Sequence, residues 1–373
     1  MWLHSKILRP VSTMALPAIL LLTLGVVGCE KTTKVSTRPE VEGYVGSSAC
    51  QACHVEVYSE FAKTGHNFKL NPASSARQSG FYPFGDLPGP PPGESWNNIS
   101  YVIGGFWWKA RFIDNEGYVL TGSNVQYNLA TDRWVSYNEG QTQEYDCGRC
   151  HTTGYRSYGH QNNMPGIIGT WALNGIQCER CHGPGSKHVY APYDHPMKID
   201  RSSVMCGECH SRGSTSAIPA GGGFIRHHEQ YNELVASKKI SFACVDCHEP
   251  HVSLHKKNPT RASGIVLTCE ACHYEEAEGF ANSSLPHYDL GTIKCIDCHM
   301  PPAVKSAEGD PVTHRGDVKS HLFSINTDAS AQMFTDDGKF AKGYITLGYA
   351  CLWCHVSKTV QWAEAHASEV HPD

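Results

Sequence analysis

The stretch IQCERCHGPGSKHVY, from Ile176 to Tyr190, contains two cysteines, a histidine directly after the second cysteine and another histidine six residues later. Its core, C-x-x-C-H, occurs eight times in the 373-residue chain. We number these copies motifs 1 to 8 in chain order: CQACH (50–54), CGRCH (147–151), CERCH (178–182), CGECH (206–210), CVDCH (244–248), CEACH (269–273), CIDCH (295–299) and CLWCH (351–355). They use sixteen of the 17 cysteines, so this repeat dominates the sequence.

The C-x-x-C-H pattern is typical of covalent attachment of c-type haem. Two thiols at this spacing add to the two vinyl groups of one porphyrin, and the next residue lies under the iron, where its imidazole is a ligand. Paired C-x-x-C knuckles also bind zinc, and an exported chain can pair its cysteines in disulfides, but neither needs a histidine after every pair. Eight such histidines therefore favour eight haems over both alternatives.

Each motif predicts two thioether bonds and one proximal iron ligand. The predicted thioether cysteines are Cys50, Cys53, Cys147, Cys150, Cys178, Cys181, Cys206, Cys209, Cys244, Cys247, Cys269, Cys272, Cys295, Cys298, Cys351 and Cys354. The predicted proximal ligands are His54, His151, His182, His210, His248, His273, His299 and His355.

The other histidines are numerous enough to supply the second axial ligand of every iron. Thirteen remain besides the eight proximal ones and His4. Any one of these taken alone would be interpreted as a surface residue. The candidates for distal ligands are His66, His160, His188, His195, His227, His228, His251, His255, His287, His314, His321 and His366. His371, two residues from the end, is the weakest candidate. Bis-histidine iron is low-spin and closed to substrate, and low potentials follow because methionine ligation, which raises the potential, is not needed.

The first 28 residues resemble a secretory signal. Lys6 and Arg9 precede an apolar run from Val11 to Val27, which is too short for a typical membrane span and contains a proline. The run ends in VVGC, which resembles the lipobox of bacterial lipoproteins and predicts a lipid on Cys29. An unmodified cysteine near a cleavage site is the alternative. Residues 29–45 then form a polar tether to a membrane surface.

The spacing of the motifs divides the rest of the chain into three segments. Residues 46–146 hold the first haem and a β-hairpin segment, residues 147–299 are a dense region with six haems, and residues 300–373 hold the eighth. The predicted fold class is a mostly irregular and α-helical multihaem cytochrome c with haems as the core, a small antiparallel β insertion in the N-terminal part and a short C-terminal helix. Within residues 147–299, successive haems are expected to lie side by side.

The β insertion is predicted from two runs of β-favouring residues. In NISYVIGGFWWKARFIDNEGYVLTG they flank an Asn115–Gly117 turn, and in VQYNLATDRWVSYN they flank residues 130–132. Four tryptophans are expected to pack on this sheet or on a haem: Trp96, Trp107, Trp108 and Trp134. The stretch SKTVQWAEAHASEV near the end predicts one short helix.

Charge makes nucleic acid an improbable partner. The formal net charge is −5, and cleavage after residue 28 would shift it to −7 because Lys6 and Arg9 are removed. The chain contains no basic run or basic helix, the usual footprint of nucleic-acid binding.

Several stretches carry a resemblance to known families. YVGSSACQACHVEVYSEFAKTGH, CERCHGPGSKH, CVDCHEPH and CIDCHMPP are similar to the multihaem c-type cytochromes related to the tetrahaem cytochrome of nitrifying bacteria and to hydroxylamine oxidoreductase. YDCGRCHTTGY and the hairpins before it further resemble extracellular electron-transfer cytochromes, some of which polymerise into haem filaments. The resemblance implies stacked and perpendicular haem pairs that alternate in a continuous chain.

Two functions follow from these expectations. The first is an exported lipoprotein, held at the periplasmic side or the outer cell surface, that passes electrons to redox partner proteins or an extracellular acceptor. A homo-oligomer or a haem filament is compatible with it. The alternative is an octahaem oxidoreductase of small nitrogen or sulfur compounds, which needs one open iron. Some relatives mark that haem with a lysine or a widened cysteine spacing, and neither occurs here.

Overall fold

The computed structural model describes residues 42–76, 86–254, 264–283 and 293–371. They all belong to one unit, Arg38–Asp373. The predicted signal peptide, Cys29, His255 and His287 lie outside the described residues. Within the described ranges no helix is long and apolar enough to cross a membrane.

Helices are short, and the longest in the described ranges has nine residues. The 35 glycines and 21 prolines interrupt the chain too often for longer ones. The α-helices are α1 (Ser47–Cys50), α2 (Val55–Phe61), α3 (Ala73–Ala76), α4 (Gly148–His151), α5 (Cys178–His182), α6 (Ser186–Tyr190), α7 (Ser203–Gly207), α8 (Gln230–Ala236), α9 (Cys244–Cys247), α10 (Tyr274–Asn282), α11 (Cys295–His299) and α12 (Val360–His366). Further turns are 3₁₀ at Trp96–Asn98, Gln161–Asn163, Cys269–Ala271 and Ala367–Glu369, and π at Gly348–Leu352.

Strands alternate with these helices along the chain. They are β1 (Leu70–Pro72), β2 (Ile99–Gly104), β3 (Lys109–Asp114), β4 (Tyr118–Val119), β5 (Gly122–Asn128), β6 (Arg133–Tyr137), β7 (Gln143–Glu144), β8 (Thr152–Thr153), β9 (Leu173–Asn174), β10 (Ile218–Gly221), β11 (Phe224–Arg226), β12 (Val304–Asp310), β13 (Arg315–Val318), β14 (Ile325–Asn326), β15 (Phe340–Ala341) and β16 (Ile345–Thr346).

The first sheet has seven strands, in the order β1-β2-β3-β4-β7, with β5 pairing with β3 and β6. It contains both hairpins that the sequence predicts. Strands β3 and β4 pair antiparallel around the Asn115–Gly117 turn, and β5 and β6 pair antiparallel around residues 129–132. Gly117 has a φ of 94° and packs so closely on Ile167 that a side chain there would clash, which explains the glycine.

Strand β3 divides its side chains between two apolar clusters. Phe112 lies in the cluster against which Trp96 and Trp134 pack, as the sequence predicts for these two tryptophans. Ile113 lies in the other cluster, with Tyr145. Because successive side chains of a strand point to opposite faces, the odd-numbered residues of β3 lie on the Tyr145 side.

A second sheet of five strands, in the order β13-β12-β11-β10-β15, corrects the predicted fold class. The sequence predicts β structure only in the N-terminal part. Strands β10 and β11 form a hairpin through Gly222 and Gly223, which have φ of 60° and 79°. This Gly-Gly pair is the feature of the sequence that indicates the hairpin. The parallel pairing of β11 with β12 joins segments far apart in sequence, which no local pattern reports.

Apolar side chains form cores of their own beside these sheets. Ile225 and Val304 of the second sheet are fully buried in one cluster with Leu322. The sequence predicts haems as the core, and in the described residues protein side chains also build a core at each sheet. The predicted C-terminal helix is present as α12, where the Thr359 hydroxyl accepts a hydrogen bond from the Trp362 amide at 3.2 Å.

Candidate haem-binding sites

Each motif lies on or next to one helical turn. In motif 1 the amide of His54 donates to the carbonyl of Cys50 at 2.9 Å, and the same bond recurs at 2.9 or 3.0 Å in motifs 4, 5, 6 and 8. Residues three and four positions apart share one side of such a turn. Both thiols and the imidazole of a motif therefore lie on the same side of the turn. All sixteen motif cysteines are free of disulfides.

Five motif histidines face a second imidazole at nearly constant separation. The ring centroids are 6.3 Å apart in His54–His188, 6.3 Å in His210–His66, 6.1 Å in His182–His251, 6.2 Å in His248–His321 and 6.1 Å in His299–His371. The angles between the ring planes range from 7° to 86°, so ring stacking does not set the distance.

A metal ion between two imidazoles accounts for this spacing. Two metal–nitrogen bonds of about 2 Å, plus about 1 Å from each nitrogen to its ring centre, separate the centroids by about 6 Å. Direct ring contact gives a shorter distance, as in His227 and His228 at 4.0 Å. The five pairs therefore fit the two axial positions of a haem iron.

Hydrogen bonds fix the tautomer of six of these ten imidazoles. In each, Nδ1 lies 2.7–3.3 Å from an oxygen acceptor. The acceptors are the carbonyls of Lys198 for His182, His195 for His188, Phe323 for His299 and Glu276 for His371, and the side-chain oxygens of Glu249 for His251 and Gln230 for His210. Carbonyl oxygens only accept, so Nδ1 carries the proton and the Nε2 lone pair is left for a metal.

Burial also favours the neutral imidazole that metals require. Desolvation, followed by neighbouring positive charge, lowers the pKa of His66 to about 3. Desolvation likewise lowers the pKa of His321 to about 3. An imidazole that stays unprotonated binds metal without first releasing a proton.

The pairs include four of the distal candidates: His66, His188, His251 and His321. The other described candidates have different neighbours. His160 Nδ1 bonds to the Ile167 carbonyl at 2.7 Å, His195 offers its carbonyl to His188, His227 and His228 contact each other, His314 lies 4.8 Å from Tyr349 and His366 lies 4.8 Å from Trp362.

His371, the weakest candidate in the sequence, lies opposite His299. Helix α12 and the 3₁₀ turn after it bring the end of the chain back towards motif 7, and the Glu276 carbonyl orients the ring. Its position two residues from the end gave no signal for this, because only the tertiary path of the chain creates the pair.

Three motif histidines have other neighbours. The ring of His151 lies 6.4 Å from that of Tyr145. His273 bonds through Nε2 to Lys239 Nζ at 2.7 Å. His355 lies 4.9 Å from the Trp362 ring.

Contacts between thiols of different motifs give the spatial order of the motifs. Four pairs of cysteine side chains from different motifs lie next to each other: Cys50 with Cys178, Cys150 with Cys209, Cys206 with Cys244, and Cys269 with Cys295. Electrostatic contacts add Cys181 with Cys209, Cys247 with Cys269, and Cys298 with Cys351.

These contacts place the motifs in the line 1–3–4–5–6–7–8, with motif 2 beside motif 4. Motifs 3 to 7 therefore neighbour each other in chain order, and the expectation that successive haems lie side by side stays a prediction. Motif 2 lies outside this chain order, since its thiol meets motif 4.

A buried carboxylate joins motif 1 to motif 3. Glu179, inside motif 3, is 2% exposed and accepts hydrogen bonds of 2.7–3.1 Å from the amides of Val45, Gly46 and Gly185. Replacing Glu179 by alanine is expected to cost about 3 kcal/mol of unfolding free energy, because three backbone donors, one buried and two partly buried, lose a charged acceptor. Guanidinium unfolding followed by tryptophan fluorescence measures the loss.

Glu208→Ala is the matched control for this prediction. Glu208 pairs with Arg180 at 2.7 Å, but its side chain is 46% exposed. An exposed pair of this kind contributes about 0.5 kcal/mol. Equal losses for the two variants would contradict the structural role of Glu179.

Comparisons with known proteins agree with this geometry. The family described as "Cytochrome c554 and c-prime" matches residues 120–183, which contain motifs 2 and 3. The multihaem cytochrome MtrA of Shewanella baltica (strain OS185) is 24% identical over 138 residues, 35% of this chain and 36% of that protein. The match thus spans about a third of the length of this relative.

Two solved structures share the fold. The outer cell wall cytochrome OcwA superposes with a TM-score of 0.55 at 18% identity, covering 87% of this chain and 86% of that one. The octahaem sulfite reductase MccA of Wolinella succinogenes superposes with a TM-score of 0.58 at 14% identity, covering 84% of this chain and 66% of that one. The chain is a multihaem c-type cytochrome.

Proposed function

We propose that this cytochrome conducts electrons along a line of eight covalently attached haems. The motif cysteines form the thioether bonds, and the motif histidines are the proximal ligands. His188, His66, His251, His321 and His371 are the distal ligands of motifs 1, 4, 3, 5 and 7. The 6.1–6.3 Å imidazole pairs carry this proposal, because an iron held on both faces by histidine exchanges electrons without binding a substrate.

The order of the motifs supports conduction. Each thioether sulfur is one carbon from the porphyrin ring, so cysteine sulfurs of neighbouring motifs that lie close together bring two porphyrin edges close together. The line from motif 1 to motif 8 then runs through the protein, with motif 2 as a side branch at motif 4.

The proposed location follows from the N-terminal sequence. Cleavage before Cys29 and its lipidation would hold the exported protein at the periplasmic side or the outer cell surface. Its partners there are redox proteins or an extracellular acceptor, and a homo-oligomer or haem filament would extend the line. A structural neighbour is described as an outer cell wall cytochrome, which agrees with such a site.

Intact-mass measurement followed by reoxidation tests this proposal. The protein is purified from a host with a c-type haem maturation system, reduced with dithionite and mixed anaerobically with a solid ferric oxide. By mass we expect eight haems and a lipid on Cys29. On mixing with the ferric oxide we expect all eight haems to be reoxidised together. A protein with eight haems that all stay reduced in the presence of the ferric oxide would contradict conduction. A lower haem count would contradict the predicted attachment sites.

A second candidate function is an octahaem oxidoreductase of small nitrogen or sulfur compounds with one open haem. One observation favours it. Among the described residues, the ring that lies 6.4 Å from the ring of His151 belongs to Tyr145, whereas five other motif histidines have a histidine ring at a similar distance. A substrate-dependent turnover that disappears with the haem of motif 2 would place this function first.

A further inference from the structure

A short turn, HEPH at residues 248–251, connects motif 5 to the histidine that faces motif 3. His248 ends motif 5, and His251, three residues later, lies 6.1 Å from the ring of His182. The Val252 amide donates to the Glu249 carbonyl at 3.1 Å, which closes the turn with a proline at its second position. Proline is favoured there because its ring fixes φ. The turn therefore holds Glu249 next to His251.

The side chain of Glu249 folds back onto His251. Its Oε1 atom accepts hydrogen bonds from the ring Nδ1 at 2.7 Å and from the backbone amide of the same histidine at 3.1 Å. The edge of the Phe61 ring packs near this imidazole, with the ring centroids 6.5 Å apart. Among the described residues, the ion pair that Glu249 makes within 4 Å is the one with His251. The carboxylate is therefore directed at the imidazole.

This acceptor differs in charge from those of the other paired imidazoles. Of the six whose Nδ1 acceptor the structure describes, five bond to a backbone carbonyl or to the amide oxygen of Gln230, and His251 bonds to a carboxylate. Outside the five pairs, the Glu276 carboxylate lies 3.5 Å from Nδ1 of His273, and both of these side chains are more exposed than Glu249 and His251.

A carboxylate on Nδ1–H changes the imidazole as an iron ligand. It attracts the proton and gives the ring partial imidazolate character, which makes Nε2 more basic. A more basic ligand stabilises the ferric iron, because the ferric state carries one positive charge more than the ferrous state. Neutral carbonyl and amide oxygens have a weaker effect of the same kind. A haem at motif 3 should therefore be harder to reduce than its neighbours.

Motif 3 has a position in the line that gives this difference a consequence. In the thiol contacts described above, motif 1 meets motif 3 through Cys50 and Cys178, and motif 3 meets motif 4 through Cys181 and Cys209. An electron that passes between motifs 1 and 4 along these contacts visits the haem of motif 3. A low potential at that haem is an energy barrier to transfer in either direction.

We propose that Glu249 is a positioning residue that lowers the reduction potential of the haem at motif 3 below the potentials at motifs 1 and 4. It acts through the hydrogen bond to Nδ1 of His251. The proposal rests on the axial ligation of motif 3 by His182 and His251 proposed above. It deepens the conduction function by naming the residue that sets the energy of one step in the line.

A redox titration of the holoprotein, followed by electron paramagnetic resonance, tests the proposal once the signals are assigned. His251→Ala should replace the low-spin signal of motif 3 by a high-spin signal, and His188→Ala should identify motif 1 in the same way. In the wild type we expect the ferric signal of motif 3 to disappear at a lower potential than those of motifs 1 and 4. A spectrum that His251→Ala leaves unchanged would overturn the ligation, and with it this proposal.

Glu249→Gln removes the charge and keeps an oxygen acceptor at the same position. At a fixed applied potential, we expect the ratio of ferrous to ferric haem at motif 3 to increase about tenfold, which corresponds to about 59 mV for one electron. The g values of this signal should stay the same, because His251 keeps its orientation. Glu249→Ala removes the acceptor too, so both the potential and the g values should change. Circular dichroism and the haem count by mass check the folding of both variants.

Glu208→Gln is the charge-matched control. The Glu208 carboxylate pairs with Arg180, inside motif 3, at 2.7 Å, and its side chain is 46% exposed. The variant removes the same charge from the neighbourhood of motif 3 and leaves the bond between Glu249 and His251 in place. Because solvent screens this exposed carboxylate, the ratio of ferrous to ferric haem at motif 3 should change by less than about threefold.

Three results would overturn the proposal while the ligation of motif 3 stands. The first is a wild-type titration in which the haem of motif 3 is reduced before that of motif 1 or motif 4. The second is a potential at motif 3 that is equal in Glu249→Gln and in the wild type. The third is an equal shift in Glu249→Gln and Glu208→Gln, which would assign the effect to charge at a distance and not to the hydrogen bond.

Discussion

Replacing His371 by alanine is expected to convert one ferric haem from low-spin to high-spin while the haem count stays at eight. In the structure this imidazole faces His299 at 6.1 Å, with its Nδ1 hydrogen-bonded to the Glu276 carbonyl. Alanine removes the sixth ligand of the iron at motif 7 and leaves the thioether bonds and the proximal ligand in place. The open iron should bind carbon monoxide when reduced, and its potential should rise.

His366→Ala is the matched control. His366 lies on α12 in the same C-terminal segment, but it stacks on Trp362 at 4.8 Å and donates through Nδ1 to the carbonyl of that residue. Its loss should leave the spin state of motif 7 unchanged. The assignment of His371 is contradicted if His371→Ala stays fully low-spin, or if both variants give the same new signal.

Removing the haem of motif 4 is expected to break conduction. The thiol contacts connect motifs 1, 2 and 3 to motifs 5 to 8 through Cys206 and Cys209. In Cys206→Ala/Cys209→Ala the haems should separate into two groups that no longer equilibrate quickly. Film voltammetry of the adsorbed protein measures this as a fall in the fraction of haems that exchange electrons in the fast phase.

The control removes a different haem from the same region. Cys147→Ala/Cys150→Ala deletes the haem of motif 2, which contacts motif 4 from the side. The other haems should still exchange in one fast phase. Both variants must retain seven haems by mass. Fast exchange of all seven haems in the motif 4 variant would contradict the order proposed for the line.

The sequence predicts the attachment sites because they are local. Two cysteines and a histidine within five residues report a covalent geometry that needs no tertiary information. The two N-terminal hairpins are predicted from the sequence for the same reason, since the alternation of apolar and polar residues and the turn residues extend over only a few positions. The parallel pairing of β11 with β12 brings together distant segments, so neither strand alone indicates the second sheet.

The distal ligands could not be predicted in this way. His66 lies opposite His210, and His371 opposite His299, because the chain folds back between them.

The electron paramagnetic resonance spectrum of the ferric holoprotein, integrated against the haem count, tests the central claim most directly. The claim is that the five imidazole pairs are axial ligands. We predict at least five low-spin haems in eight. Nearly parallel rings, at 7° in His182–His251 and 18° in His54–His188, should give rhombic signals, and the 86° pair His66–His210 a highly anisotropic one. Fewer than five low-spin haems would contradict the account.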